Sequence, residues 1–226
     1  GSCAGGILGA MTNRNVTIKN SSNYGTVIAQ NKVGGILGIH NEASSKAPAG
    51  KIIDCYNAGS VSGQTNVGGV AGCFKGKAAN NAGVEMSGCY SGGEILSTSQ
   101  TKEQTIFAGQ SAYMTLSDSV YSCADEASST FTEDQAVYVS PADIAAVKKL
   151  TAETVSKKAD KDTLDRIAPV INVLANVPLS AEDQTFVDLY KELQEALAKQ
   201  KSVKVGVYDY TATAAGITGA SENGVI

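Results

Sequence analysis

Five cysteines, one histidine and a scatter of carboxylates are the residues of this 226-residue chain that could do chemistry, and their spacing argues against most of it. Cys3, Cys55, Cys73, Cys89 and Cys123 show none of the paired spacings, such as C-x2-C, that gather four ligands around zinc. No metal site and no cofactor are expected. His40 stands alone, and one imidazole cannot build the two-histidine helix of a zinc peptidase, while a Ser-His-Asp relay needs a shaped pocket that nothing nearby suggests. His40 is read as a surface residue entering a polar loop. Polysaccharide-cleaving enzymes work with a pair of carboxyls. Among Glu42, Asp54, Glu85, Glu94, Glu103 and Asp118, only Asp54 and Asp118 share a position in the sequence frame, two copies apart. No catalytic residue is assigned, and polysaccharide cleavage is kept as an alternative.

That frame is an internal repeat. Ala4-Gly5-Gly6-Ile7-Leu8-Gly9 recurs as Val33-Gly34-Gly35-Ile36-Leu37-Gly38 and as Val67-Gly68-Gly69-Val70-Ala71-Gly72, with a worn copy at Phe107-Ala108-Gly109. Each block is followed by a second pattern, Ile18 to Val27, then Ile52 to Val61, then Met86 to Ile95, with a last echo from Leu116 to Tyr121. The second glycines lie 29 residues apart (Gly6 to Gly35), then 34 (Gly35 to Gly69), then about 40 to Gly109. The length changes fall in polar stretches, where loops absorb them at little entropic cost.

Within the blocks the apolar residues are short and mostly β-favouring, glycines punctuate every few positions, and no 3.6-residue period is sustained. The blocks are strands. A unit this small cannot bury its own apolar face, but stacked copies turn each Val/Ile position into a column, so the expected fold is mainly β, a short parallel β-solenoid. A propeller fits less well, because its blades need about 40 residues and four strands each. Gly5, Gly6, Gly34, Gly35, Gly68 and Gly69 are expected at corners, where positive φ or close approach between copies penalises a Cβ. Cys55 and Cys89 share a position, and stacking would place them about 4.8 Å apart. A free buried thiol ladder and a disulfide both remain open; Ser21 in the equivalent place speaks for the ladder. Tyr56 and Tyr90 also share a position, so they are either a packing pair or a stacked aromatic contact for a sugar or a protein partner.

These blocks resemble the GLUG repeat of bacterial surface proteins, which include adhesin-like proteins and the non-catalytic part of some immunoglobulin A metallopeptidases. The resemblance covers roughly residues 4 to 123. It departs from the pattern at Ser91 and Gly92, and the fourth copy has lost most of its glycines. It implies a non-catalytic segment of an extracellular, cell-surface or cell-wall protein, acting as an adhesive or spacer module with a host protein or glycan as partner. Its alternative implication is a substrate-positioning region of a large surface metallopeptidase.

Composition divides the chain near residue 125. Of 24 glycines, 20 precede that point; of the acids and bases, seven and eight precede it, leaving 15 and 10 for the second half, which therefore carries most of the net charge of −4. No basic stripe exists for a phosphate backbone, so nucleic acid is not an expected partner, and no apolar run approaches the ~20 residues of a transmembrane helix. The opening Gly1-Ser2 is the dipeptide a cleaved tag often leaves, and the chain is read as a fragment of a longer protein. The expected organisation is a repeat domain over 1–125, a connector over 126–139, a small three-helix domain over 140–201, and a strand opening a further module over 202–226, α+β overall. The helix starts are signalled by Ser140-Pro141 and by the capping box Ser180 to Asp183, with a middle helix from about Asp162 to Val177 that Pro169 should kink or divide. About 60 residues is marginal for an independent core, so the helices are expected to lean on the repeats or on the strand. That strand is placed at 202–211, where Val203, Val205 and Val207 alternate.

Overall fold

A computed structural model of the chain describes residues 3–12, 16–41, 50–75, 84–100, 105–110, 114–123, 131–155, 158–205, 212–213 and 216–217. Each copy of the repeat folds into a similar series of short strands. The first contributes β1 (Ala4–Gly5), β2 (Leu8–Thr12), β3 (Thr17–Asn23) and β4 (Val27–Ile28); the second β5 (Asn31–Gly34), β6 (Leu37–Asn41), β7 (Lys51–Asn57) and β8 (Val61–Gly63). The third contributes β9 (Thr65–Gly68), β10 (Ala71–Lys75), β11 (Val84–Ser87), β12 (Tyr90–Ser91) and β13 (Ile95–Ser97), and the worn fourth β14 (Ala108–Gln110), β15 (Met114–Ser117) and β16 (Ser119–Tyr121). Equivalent strands pair in parallel, giving the orders β1-β5-β9, β2-β6-β10-β14 and β4-β8-β13. A longer sheet joins β3, β7, β11 and β15 to β12, β16 and β17 (Ala136–Tyr138). Among the described residues the fold is thus mainly parallel β with three helices, which fits α+β loosely.

Register follows the sequence alignment residue for residue. Gly5 lies beside Gly34 and Gly34 beside Gly68; Leu8, Leu37, Ala71 and Ala108 form one column and Ile18, Ile52, Met86 and Leu116 another. The buried core lies between the facing sheets, with Ile36, Leu37, Ile52, Val70, Met86 and Phe107 at its centre. A smaller core of Val27, Val33, Val61, Val67 and Ile95 fills the neighbouring corner.

Of the two causes expected for the corner glycines, only one applies to them. Positive φ falls on Asn20, Asp54, Gly88 and Asp118, one column, and on Lys32 and Asn66, another; Gly88 alone among the described glycines has it. Asn and Asp tolerate that conformation through their short polar side chains. The repeat glycines serve close approach instead. A Cβ on Gly34 would lie 2.6 Å from Ala71 Cα and Gly72 N of the next copy, and one on Gly68 would lie 2.6 Å from Gly109 N. Gly5 meets Gly38 in the same way, so the first glycine of one block interlocks with the last of the next.

Just past the bend, one column carries a side-chain donor in every copy. Ser21 Oγ donates to Lys19 O at 2.9 Å, Cys55 Sγ to Ile53 O at 3.3 Å, Cys89 Sγ to Ser87 O at 3.4 Å and Ser119 Oγ to Ser117 O at 2.9 Å. Each one ties the residue after the bend to the carbonyl before it. Cys55 and Cys89 form no disulfide, and neither do Cys3, Cys73 and Cys123.

Helix α1 (Pro141–Val147) starts where Ser140 Oγ accepts from Ala142 N at 3.1 Å. Helix α2 (Lys158–Leu174) begins a turn earlier than expected and runs undivided through Pro169. Helix α3 (Ala181–Val205) follows Ser180, whose Oγ accepts from Asp183 N at 3.1 Å. The strand expected over 202–211 is not one at its start, because Ser202 to Val205 continue α3. No Gly or Pro intervenes before Gly206, and extending an existing helix costs far less than starting a new element. Residues 206–211 lie outside the described ones, and β18 (Ala212–Thr213) pairs antiparallel with β19 (Gly216–Ile217). Among the described residues no helix is long and apolar enough to cross a membrane.

The helices have no closed core of their own. Leu164, Ile167, Val170, Ile171, Phe186 and Leu193 join Tyr56, Tyr90 and Val120 of the long sheet in one buried cluster. They lean on the flank of the stack, and β17 pairs with β16 within the expected connector, so the sheet extends past residue 125.

Candidate functional site

Tyr56 and Tyr90 occupy the column Ser22, Tyr56, Tyr90, Val120, whose side chains point out of the stack. Their rings are parallel within 4°, with centroids 4.8 Å apart, and Tyr24 meets Tyr56 edge-on at 5.7 Å. The helices cover the pair: Tyr56 is 7 % exposed and Tyr90 5 %. Tyr90 OH shares a 2.8 Å hydrogen bond with Ser122 Oγ. Burial pushes both phenols up, Tyr90 to about 12. The ligand-contact expectation is corrected accordingly, since the rings face the chain's own helices and present no open surface to a sugar.

Tyr24 is the more accessible aromatic, 41 % exposed. Its hydroxyl accepts from Ser180 N at 3.0 Å, while Asn20 Nδ2 donates to Asn176 O and Ser22 Oγ to Pro178 O, both at 2.6 Å. The first copy thereby holds the turn between α2 and α3. Sequence reasoning missed Tyr24 because its repeat equivalents are Ala58 and Gly92, so no column marks it.

Beside this contact a groove of about 350 Å³ runs between the bend column and α2. Asp54, Gly88 and Asp118 line one wall, Asn172 and Asn176 the other, and Glu133 closes one side. A Cβ on Gly88 would collide with Asp54 Oδ1, so the Asp54 carboxylate lies over the space that glycine leaves. The two aspartates paired by sequence do line one groove. Their Cα atoms are two strand spacings apart, roughly 10 Å. Three carboxyls facing two amides can hydrogen-bond a polar ligand, yet among the described residues no group of three His, Cys, Asp or Glu could hold a metal ion.

His40 contradicts its surface reading. It is 2 % exposed, in register between Met11 of β2 and Phe74 of β10. Its column neighbours, both large and apolar, were the available sign that this position points inward. A Cβ on Gly50 would lie 2.7 Å from Met11 Sδ and 3.3 Å from the imidazole Cδ2, so Gly50 makes room for both side chains. Cys89, wholly buried, has its thiol pushed well up by burial, which keeps it protonated and unreactive.

No protein-family model, curated protein or solved structure matches the chain.

Proposed function

We propose that the chain is a non-catalytic spacer or adhesive module of a bacterial cell-surface protein, a short GLUG-type β-solenoid braced by a helical section. The in-register stacking of equivalent residues, Gly5 on Gly34 on Gly68, carries this reading. Such a stack is a stiff rod that lengthens by about 4.8 Å per repeat. Its adhesive face is the sheet β4-β8-β13, where Ile28 is 72 % and Leu96 51 % exposed next to a groove of about 340 Å³ lined by Ser62, Ser97, Thr98 and Gln100. Apolar side chains rimmed by hydroxyls and amides suit a host protein or glycan. A glycan array and a pull-down with immunoglobulin and mucin test it: binding that falls at least tenfold in an Ile28→Asp/Leu96→Asp variant supports adhesion through this face. Binding unchanged by that variant removes the face from the reading.

A second reading, polysaccharide cleavage, draws on Asp54 and Asp118 lining one groove. Turnover of a glycan panel that is lost in both Asp54→Asn and Asp118→Asn would favour it over the spacer. Absence of turnover by the wild-type chain would sink it.

A further inference from the structure

The two ends of the stack differ. At one end β17 adds to β16, and Phe131 and Tyr138 pack on Tyr121. At the other, β1, β2, β3 and β4 each pair on one side only among the described residues. Ile7 lies in the column of Ile36 and Val70, which are 0 % exposed, yet is itself 46 % exposed. Its amide donates to Ile36 O at 3.1 Å, as Ile36 N does to Val70 O, and among the described residues its outer side meets no strand.

Two glycines on this edge have no cause within the described structure. Gly38, Gly72 and Gly109 each abut the preceding copy: a Cβ there would lie 2.8 Å from Ala4 C, 2.5 Å from Val33 N or 2.4 Å from Val67 N respectively. Gly9 holds the same position in the first copy, and its Cβ would meet only Cys3 O, at 3.8 Å. Gly25 repeats the pattern. Gly59 would press on Gly25 C and Gly93 on Gly59 C, both at 2.8 Å, whereas Gly25 has only Asn23 Oδ1 at 3.6 Å. Neither Gly9 nor Gly25 has a positive φ. Glycine costs backbone entropy wherever it is not needed, and at the equivalent positions of the later copies the need is for close approach of the copy before. The buried asparagine ladder ends there too, since Asn57 Oδ1 accepts from Asn23 Nδ2 at 2.8 Å while Asn23 Oδ1 turns back to Gly25 N at 3.2 Å.

We propose that the edge formed by β1, β2, β3 and β4 is an interface for one further repeat of this chain's own pattern, parallel and in register, joined through Cys3, with its block glycine against Gly9. The proposal rests on the stacked-repeat reading above, and the test separates the two. A copy of residues 31–64 is fused ahead of Ser2 of the full chain, and urea unfolding is compared with and without Gly9→Ala and Gly38→Ala. The extended chain should unfold in one transition, with a higher midpoint and a slope larger by ~15 %, in proportion to the added buried surface. Gly9→Ala should leave the midpoint of the original chain unchanged or slightly raised, and lower that of the extended chain. Gly38→Ala should lower both; if it lowers neither, the stacking itself is wrong. If Gly38→Ala is harmful but the extension adds no stability, or Gly9→Ala is equally harmless in both chains, the proposed interface is overturned. Sedimentation of the original chain adds a further arm, because a dimer dispersed by Ile7→Asp would assign the edge to a second copy and overturn it as well.

Discussion

Ser21, Cys55, Cys89 and Ser119 show what one side chain contributes in a repeated frame: each is small enough for the column and donates across the bend. Cys89→Ser should therefore cost within about 1 kcal/mol, and Cys89→Val, which is bulkier and has no donor, about 1–3 kcal/mol; urea midpoints of the two variants decide it. Tyr56 and Tyr90 make a pH prediction. Both phenols are raised in the folded state, so their contribution is fully present below the ordinary tyrosine value of about 10. It is lost as pH climbs from there through about 12 for Tyr90, because the unfolded chain releases its protons first. Stability measured from pH 8 to 11.5 should decline above 10, and Tyr90→Phe should flatten the decline. At this scale the alignment was informative wherever a column had repeated members. It misled at His40, where polar chemistry in the sequence concealed an apolar column, and it was silent at Tyr24, which has no counterparts.

The starts of α1 and α3 were legible because a cap is a local event: Ser140 and Ser180 bond to amides two or three residues away; α2, with no such cap signal, begins a turn earlier than expected. Ser140→Ala should cost about 1 kcal/mol. Leu164→Ala, which empties a site in the cluster shared with the sheet, should cost about 2–5 kcal/mol, with both losses read from chemical denaturation. The end of α3 was not legible. Val203 and Val205 alternate like a strand, but helix propagation from residue 181 outweighs their preference. Glycine placement was legible and its reason only half so, since spacing cannot distinguish a backbone that needs positive φ from one that needs a neighbour at 2.6 Å.

For the whole molecule, composition marks a division near residue 125, and one buried cluster spans it. Tyr56, Tyr90 and Val120 share their buried cluster with Leu164, Ile167 and Phe186, so the repeats and helices should unfold in one transition. A chain ending at Val139 should bare the tyrosine stack, bind a hydrophobic dye and unfold at a lower midpoint with a broader transition. Two separate transitions in the full chain would contradict the shared core. The sequence leads one to expect helices leaning on the repeats or on the strand, but not on which face: spacing makes Tyr56 and Tyr90 a packing pair or an aromatic contact, and only the helices' position chooses between them.

The clasp from Asn20, Ser22 and Tyr24 to residues 176–180 has a mechanical consequence. Tension along the stack axis acts across the strands and opens a parallel stack like a zipper, one repeat at a time. Each repeat of about 34 residues would release roughly 110–120 Å of chain. Because the helices grip the first repeat while packing on later ones, that zipper starts fastened: a pulled molecule should hold until the clasp lets go and then lengthen in steps, a shock absorber whose catch is three side chains.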